Sequence, residues 1–435
     1  MDEKSEPLET CSLPRSTQTR NVVIYGINKG LVYFSAPIIY VGMGQAALLD
    51  RLGSDKVWAN LPASIYVWMT PLAVLAAWRW PLARQLRPVL FINYLIMAIG
   101  GALMAGVLFA GWTAAILPMV FLHSAMLGIT VNVVEAYQWE VLGRGVSEKR
   151  RGEALAIAFG LGPVMAAIGS LVAQLIVSGQ LGTIKVAMPP FPATFAILFG
   201  ITAPLMAIAA VLCLRYELPS EIQDREPESF VRGVIVGFWD FLSYRIMAIT
   251  VVAYIFIYSG LMVMPSITLF TEQAVGQSAE SLVGYQQALR FGGKALIGFL
   301  LSAILIFTNP KAGALTTAFL CLMGPLWALF VPGFPFMVAF AFLGGGELMG
   351  VYFPNYILSL SRPEYMRRNM AFCSLIVLPV GNAPVIYGQI AEFSSLKASF
   401  WVAAVICIIS ITICIIWLPR YPKPPGLTAD DRQQP

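Results

Sequence analysis

Three polar side chains lie at regular intervals in one long apolar stretch. Gln286, Arg290 and Lys294 are four residues apart between about Leu282 and Phe307, so a helix would place them on one face. A cation at the centre of a membrane helix costs about 2.5–3.5 kcal/mol on insertion scales. We therefore expect this face to contact protein, water or an opposite charge, and its two cations to attract an anionic or strongly polar solute.

Other apolar stretches supply candidates for the opposite charge. The ionisable residues clearly inside predicted spans are Lys29, Glu135, Arg290, Lys294 and Glu347. Lys29 and Glu135 fall at one depth and Lys294 and Glu347 at another, near the middle of their spans, so each couple could form an ion pair. Buried carboxylates can titrate near neutral pH, so Glu347 or Glu135 would bind a proton or balance charge. The alternative is that both couples are structural pairs between helices.

The composition indicates a membrane protein with several spans. Of the 435 residues, 58% are hydrophobic and only 12% are charged, whereas soluble domains are about 25% charged. The positions of the charges explain the net charge of +5 better than an acidic partner does, so we expect no nucleic-acid partner. The polar first 20 residues favour the absence of a cleavable signal peptide.

The sequence gives little support to enzyme chemistry. The six cysteines form no CxxC pair and there is one histidine, so we expect no disulfide framework, no metal site and no cofactor. The sequence contains no P-loop, which argues against direct ATP drive. An intramembrane enzyme would also need a nucleophile with its base, or metal ligands, within the spans, and the sequence offers neither.

Apolar segments of roughly 20 residues can cross a bilayer, and the sequence contains twelve. We number them span 1 to span 12, and their expected bounds are 21–49, 58–78, 89–110, 113–141, 153–178, 191–214, 244–271, 281–307, 312–331, 335–360, 370–392 and 397–418. The division between spans 9 and 10 depends only on Pro332-Gly333-Phe334-Pro335. The predicted fold class is an all-α integral membrane protein.

The basic residues predict the orientation. An even number of spans places both chain ends on one side, which we call the terminal side; the other is the distal side. Most of the 28 Lys and Arg residues fall on the terminal side, whereas the distal loops carry Arg51, Lys56, Lys185 and Lys397. Because cytoplasmic loops are enriched in Lys and Arg, we expect cytoplasmic termini that contact lipid head groups. The compact loops favour a bacterial inner (plasma) membrane.

The chain is expected to divide into two similar halves. A tail, a six-helix bundle, a linker, a second six-helix bundle and a second tail would occupy residues 1–20, 21–214, 215–243, 244–418 and 419–435. Within the linker, residues 229–243 mix apolar and charged side chains as an interfacial amphipathic helix does, and Ser229 would cap that helix. Spans 1 and 7 each carry a late proline, Pro37 and Pro265. Two halves related by an axis along the membrane normal are one plan of secondary transporters.

Over roughly residues 21–420 the chain resembles the major facilitator superfamily. The loop after span 4 reads Glu148-Lys149-Arg150-Arg151-Gly152, as in that family. Residues 158–167 (Ala-Phe-Gly-Leu-Gly-Pro-Val-Met-Ala-Ala) look like the family's span-5 motif, with alanine in place of three glycines. The loop 79–87 keeps basic residues but lacks the Asp and both glycines of the motif between spans 2 and 3. The family's gating contact is therefore not expected there.

The resemblance implies two six-helix bundles around a central cavity lined by spans 1, 4, 7 and 10, with span 8 beside it. The solute site would then include charged and polar residues on these spans, namely Arg290, Lys294, Gln286, Tyr33, Tyr258, Asn355 and Asn132. Glu347, Glu135 and Lys29 would be coupling groups or charge pairs.

The predicted function is secondary transport of a small polar, anionic solute by alternating access, with protons as the coupling ion and the protein as a monomer. Three cations against two carboxylates in the spans leave one positive charge, which favours an anion. The alternatives are a symporter of a neutral sugar or nucleoside, an exporter of amphipathic compounds, and a membrane sensor or assembly partner that does not transport.

Overall fold

The structure is a computed structural model, and it describes residues 13–80, 82–147, 150, 153–154, 157–218, 229–305, 309–361 and 366–422. Several predicted features lie partly outside these residues. They are the two tails, the middle of the linker, and parts of the basic loops after spans 4 and 10, at residues 1–12, 423–435, 219–228, 148–149, 151–152 and 362–365.

The first half consists of helices with one short hairpin. Its helices are Arg15–Phe34, Ala36–Ile39 and Met43–Arg51 in span 1, Lys56–Met69 and Leu72–Arg79 in span 2, Leu86–Phe109 in span 3, Thr113–Gly145 in span 4, Gly162–Ser178 in span 5 and Ala193–Cys213 in span 6. Span 3 follows a 3-10 turn at Ala83–Gln85, and span 5 follows a π turn at Ile157–Leu161. Between spans 5 and 6, strands β1 (Gln180–Leu181) and β2 (Ile184–Lys185) pair antiparallel.

The second half repeats this plan without a hairpin in its described residues. Its helices are Arg245–Leu261, Met264–Leu269 and Thr271–Val275 in span 7, Ala279–Leu305 in span 8, Pro310–Phe330 in span 9, Val338–Gly346 and Met349–Ser359 in span 10, Met366–Ile376 and Asn382–Phe393 in span 11 and Leu396–Trp417 in span 12. The 3-10 turns Phe334–Met337 and Leu378–Gly381 lie in spans 10 and 11.

Within the described part of the chain, nine helical segments are long and apolar enough to cross a membrane. Spans 1, 5 and 8 of the sequence prediction are outside that set. Span 1 is split into three helices, the regular helix of span 5 has 17 residues, and span 8 is a 27-residue helix that carries Arg290 and Lys294.

Proline and glycine break corresponding spans in the two halves. Pro37 is the second residue of a four-residue helix in span 1, and Pro265 is the second residue of a six-residue helix in span 7. Spans 5 and 11 also contain irregular turns, a π turn directly before Gly162 and a 3-10 turn, Leu378–Gly381, between the two helices of span 11. These breaks follow from the missing N–H and fixed φ of proline.

The weakest predicted division, between spans 9 and 10, is confirmed. The helix of span 9 ends at Phe330, and a 3-10 turn begins span 10 at Phe334. Gly333 has a φ of 71°, which glycine adopts without strain. Its N–H donates to the carbonyl of Ala274 at 2.9 Å, which ties this turn to the distal end of span 7.

The described end of the linker is helical, as predicted. A π turn, Val231–Val236, continues into the helix Gly237–Ser243, and the Ser229 hydroxyl accepts from the N–H of Arg232 at 3.4 Å. Phe241 is buried against Phe372 of span 11, with ring centroids 5.6 Å apart. The opposite face exposes apolar side chains, as an interfacial helix would.

The two halves meet most extensively along two pairs of spans, 5 with 8 and 2 with 11. At both places a glycine brings backbones together on the distal side. A Cβ on Gly284 of span 8 would lie 2.6 Å from the backbone nitrogen of Gln174, and a Cβ on Gly388 of span 11 would lie 2.7 Å from the carbonyl oxygen of Lys56. Such distances are far below van der Waals contact, so only glycine fits either position in this conformation.

Candidate functional site

Arg290, Lys294 and Glu347 form one cluster, here called the central charge cluster. The Arg290 guanidinium donates from Nε to Oε1 of Glu347, and Lys294 Nζ lies 3.3 Å from Oε2. Each carboxylate oxygen thus takes one cation. The three side chains are 12%, 18% and 10% exposed, in the order Arg290, Lys294 and Glu347. The sequence predicted the Lys294 contact and missed the one with Arg290.

A break in span 10 presents Glu347 to span 8. Glu347 follows three glycines and lies between the helices Val338–Gly346 and Met349–Ser359. Its N–H still donates to the Leu343 carbonyl at 2.9 Å, but the next N–H, on Leu348, donates three residues back at 3.2 Å. The helix therefore tightens at the carboxylate, which is a common feature of functional positions in helices.

Glycines let spans 8 and 10 approach closely around this cluster. A side chain on Gly344 would overlap the Arg290 carbonyl, and a Cβ on Gly293 would lie 2.8 Å from Cα of Ala341. Gly293 therefore permits close helix contact. Its neighbour Gly292 does not, because nothing lies within 4 Å of a Cβ placed there.

The central charge cluster also touches the first half of the chain. Arg290 Nη1 lies 3.9 Å from the sulfur of Met43, and its guanidinium lies 5.1 Å from the centroid of the Phe291 ring. Phe291 in turn contacts Tyr40, with centroids 5.9 Å apart. About one helical turn before Arg290 in span 8, Gln287 donates to the Pro37 carbonyl at 3.0 Å. Arg290 therefore lies where the two halves meet.

Lys29 and Glu135 form a second ion pair, between spans 1 and 4. The sequence had placed these two residues at the same depth in the membrane. The Lys29 side chain is 5% exposed and the Glu135 side chain 43%. Lys29 also lies 5.6 Å from the ring centroid of Tyr25. On the side of the central charge cluster, Tyr33, Tyr40 and Phe291 form a row of ring contacts that ends at Arg290.

The other predicted site residues are distributed unevenly. Tyr33 is 6% exposed and contacts Tyr40 at a centroid distance of 6.4 Å. Tyr258 is half-buried beside Tyr254, at 5.9 Å. The Asn132 amide donates to the Gly128 carbonyl of its own helix at 2.8 Å, and Asn355 is exposed. Of these four residues, only Tyr33 belongs to the row of rings that ends at Arg290.

Gln286 does not share the direction of Lys294, contrary to the sequence prediction. It is fully buried and donates to the Thr271 hydroxyl at 2.7 Å, so it faces span 7 of its own half. An α-helix has 3.6 residues per turn, so each step of four residues rotates a side chain by about 40°. Two steps separate Gln286 from Lys294 by about 80°, enough to face different neighbours.

Contacts between the halves close the distal side. The Arg51 guanidinium of span 1 pairs with Glu280 of span 8, with Nε 3.1 Å from Oε2. The Gln174 amide of span 5 donates to the Ser281 carbonyl at 2.6 Å. Across spans 2 and 11, the N–H of Lys56 donates to Glu392 at 3.2 Å. Together with the glycine contacts, these bonds hold the halves together at this end.

Comparison with solved structures identifies relatives by fold. A mutant of the nucleoside transporter NupG matches with a TM-score of 0.68 and 12% identity, covering 92% of this chain and 100% of that chain. A D-xylose–proton symporter matches with a TM-score of 0.67 and 14% identity, over 93% and 99%. FucP, a major facilitator superfamily transporter in the outward conformation, matches with a TM-score of 0.61 and 12% identity, over 92% and 100%. No protein-family model and no curated protein matches the sequence.

Proposed function

Because the chain has the major facilitator superfamily fold, we propose that it is a secondary transporter for a small anionic solute, coupled to protons and working by alternating access of its two halves. The fold supports the class of protein, and the charges inside the spans support the class of solute. The proposed solute class rests on the central charge cluster.

The observation that carries the proposal is that two cations share one carboxylate. Arg290 and Lys294 each hold one oxygen of Glu347, so the ionised cluster has one unit of positive charge. The three side chains are nearly buried, and charges within membrane spans mark functional sites more often than not. A solute with one negative charge would neutralise the cluster.

Glu347 is the group proposed to bind the coupling proton. When its carboxylate takes a proton, the pairing with Arg290 and Lys294 weakens and both cations become available to the solute. Loss of the proton restores the two ion pairs, which then compete with the solute and favour its release. Proton and anion thus bind together and leave together, which is symport.

Lys29 and Glu135 would act at the terminal end of the same route. Glu135 is substantially exposed whereas Lys29 is not, so water reaches the carboxylate. We infer that this pair orders the path between the terminal side and Tyr33, which lies one turn further along span 1.

A neutral sugar or nucleoside is the second candidate solute. Two structures with this fold are named as a nucleoside transporter and a D-xylose–proton symporter. Tyr33, Tyr40 and Phe291 would supply stacking surfaces for such a solute. In that case the charged groups would handle protons only.

We also propose that both termini are cytoplasmic, that the linker joins two six-helix halves and that the protein works as a monomer. The distribution of Lys and Arg residues supports the orientation. The exposed apolar face of Gly237–Ser243 supports a linker helix that lies at the lipid head groups.

A thermal-shift screen of detergent-purified protein tests the solute class. The probes are carboxylates, phosphorylated metabolites, sugars, nucleosides and amphipathic cations, each at two pH values. A ligand at 100 times its dissociation constant stabilises by about 2.7 kcal/mol, which a melting curve detects. We expect anions to stabilise the protein.

Three variants assign that stabilisation to a site. Arg290→Gln and Lys294→Gln should remove the stabilisation by anions, and uptake of the same anion into proteoliposomes should stop. Lys397→Gln, which changes an exposed distal cation, is the matched control and should retain both. If sugars or nucleosides alone stabilise the protein, the second candidate replaces the first.

A further inference from the structure

A polar cavity of about 450 Å³ lies on the distal side, away from the central charge cluster. We call it the distal chamber, and its polar lining includes Arg51, Ser178, Gln180, Lys185, Thr194 and Glu280. The end of span 1, the hairpin between spans 5 and 6 and the start of span 6 form most of the wall. Glu280 comes from the other half of the chain.

Cations predominate in the distal chamber. Arg51 and Lys185 face a single lining carboxylate, Glu280, which pairs with Arg51 at 3.1 Å. The nearby Asp50 is bonded to Lys56 at 2.7 Å and does not line the chamber. The ionised chamber therefore has one unit of positive charge, and Lys185 is exposed.

An unsatisfied hydroxyl completes the site. Thr194 is 4% exposed, and its hydroxyl has no hydrogen-bond partner. Buried polar groups are nearly always bonded, so an orphan calls for a ligand or water. The Arg51 guanidinium lies 5.9 Å from the Phe191 ring centroid, and this contact holds its position in the chamber. Two cations and one hydroxyl donor suit an oxyanion, since charge-assisted hydrogen bonds are the strong ones.

The same residues join the two halves. The Arg51–Glu280 pair links span 1 to span 8. The hairpin adds a bond from the Gly182 N–H to the Tyr285 hydroxyl at 2.9 Å. A ligand that takes Arg51 away from Glu280 would therefore remove one contact that keeps the distal side closed.

We propose that the distal chamber binds a small oxyanion, a carboxylate or a phosphate, on Arg51, Lys185 and Thr194, and that the anion displaces Glu280 from Arg51 and loosens the distal contact between the halves. Binding is independent of the central charge cluster; the further step, admission of the solute from the distal side, rests on the proposed function.

The state of Glu280 favours this exchange. Its side chain is 14% exposed, so water has little access to the carboxylate while it pairs with Arg51. The ionised carboxylate thus loses hydration in the closed state, which weakens it as a competitor for Arg51. An oxyanion bound in the chamber would also contact Lys185 and Thr194, and Glu280 makes neither of these contacts.

Isothermal titration of detergent-purified protein with inorganic phosphate, and separately with acetate, tests the site. All titrations use the Arg290→Gln background at constant ionic strength, so the central charge cluster does not contribute. We expect Arg51→Gln to weaken phosphate binding at least about tenfold, as loss of a charge-assisted bond does. Lys185→Gln, an exposed change that spares the fold, should weaken it by less.

Lys397→Gln is the matched control, because it removes a distal cation outside the chamber. Glu280→Gln should strengthen phosphate binding about tenfold, since it removes the competitor. Equal phosphate affinity in Arg51→Gln, Lys185→Gln and Lys397→Gln would overturn the proposal, as would the absence of phosphate and acetate binding.

The loosening of the halves needs a distance measurement. Spin labels at Thr183→Cys and Gln277→Cys, both exposed on the distal side, report the separation between the halves. Phosphate should lengthen it, and Glu280→Gln should lengthen it without phosphate. Phosphate binding at Arg51 with an unchanged separation would reject the displacement. If the protein binds phosphate in the distal chamber but transports no anion, the proposed function is rejected and the proposed oxyanion site still holds.

Discussion

The Glu347→Gln substitution separates the two roles proposed for the central charge cluster. The amide keeps the size of the side chain and removes its charge, so Arg290 and Lys294 lose their shared partner. Removal of one member of a buried ion pair costs about 3–5 kcal/mol. Because the two cations are 12% and 18% exposed, water relieves part of that cost, and we expect a loss of about 3 kcal/mol in the ligand-free protein.

The same change should tighten the binding of an anion. The charge of the cluster rises from one positive unit to two. At an effective dielectric constant of about 20, one extra charge about 5 Å from a bound anion adds about 3 kcal/mol, and affinity should rise about a hundredfold. The variant should also lose proton coupling, because the proton-binding group is gone.

Two assays measure these effects. Melting curves with and without the anion should show a lower melting temperature for ligand-free Glu347→Gln and a larger stabilisation on binding. Proteoliposomes with an imposed pH gradient should accumulate the anion with the wild type and not with the variant, whereas exchange of external for internal anion persists. Glu272→Gln, at an exposed distal carboxylate, should change neither. Unchanged anion affinity together with accumulation driven by the pH gradient would refute the reasoning.

Three further predictions test other parts of the structure. Glu135→Gln should destabilise the protein by about 3 kcal/mol because Lys29 stays buried, whereas Lys29→Met should cost only about 1 kcal/mol because Glu135 is hydrated; equal melting temperatures of the two variants would contradict this. Gly284→Leu should prevent closure of the distal side and stop uptake. Gly292→Leu, whose side chain would enter open space, should be tolerated. Uptake into proteoliposomes compares the two variants. Tyr137→Phe should cost about 1–3 kcal/mol in thermal unfolding, since its hydroxyl bonds the carbonyls of Ala76 and Trp80 at 3.0 and 2.8 Å.

The two ion pairs could be predicted from the sequence because the depth of a residue in the membrane follows from its position along a span. Lys29 and Glu135 are equally far from the terminal side, and the structure joins them. Lys294 and Glu347 are equally far from the distal side, and the structure joins them too. Whether these groups bind solute stays a prediction.

Rotation about the helix axis was harder to predict. Gln286 has the right spacing but faces span 7, because the four-residue interval drifts around the helix. Arg290 reaches Glu347 where span 10 breaks after three glycines, and the sequence does not give the direction in which a broken helix turns. The neighbour Gln287, which contacts Pro37 of the first half, carries no periodic signal of its own.

The end of span 2 is held by a contact that no motif in the sequence indicates. The sequence indicated that the loop between spans 2 and 3 lacks the family's acidic residue and glycines. Tyr137 of span 4 bonds carbonyls at the end of span 2, a contact 57 and 61 residues away in sequence. Pairings of this kind depend on packing between helices, which a single sequence does not reveal.

The glycine contacts between spans 8 and 10 have a mechanical consequence. The backbones of spans 8 and 10 touch at Gly293 and Gly344, so the two spans should move together as one rigid unit. Because Arg290 and Glu347 both lie on this unit, movement of one half against the other does not separate them. Such movement carries the intact cluster past Met43 and Tyr40 of the first half, so protonation or solute binding must open the ion pairs.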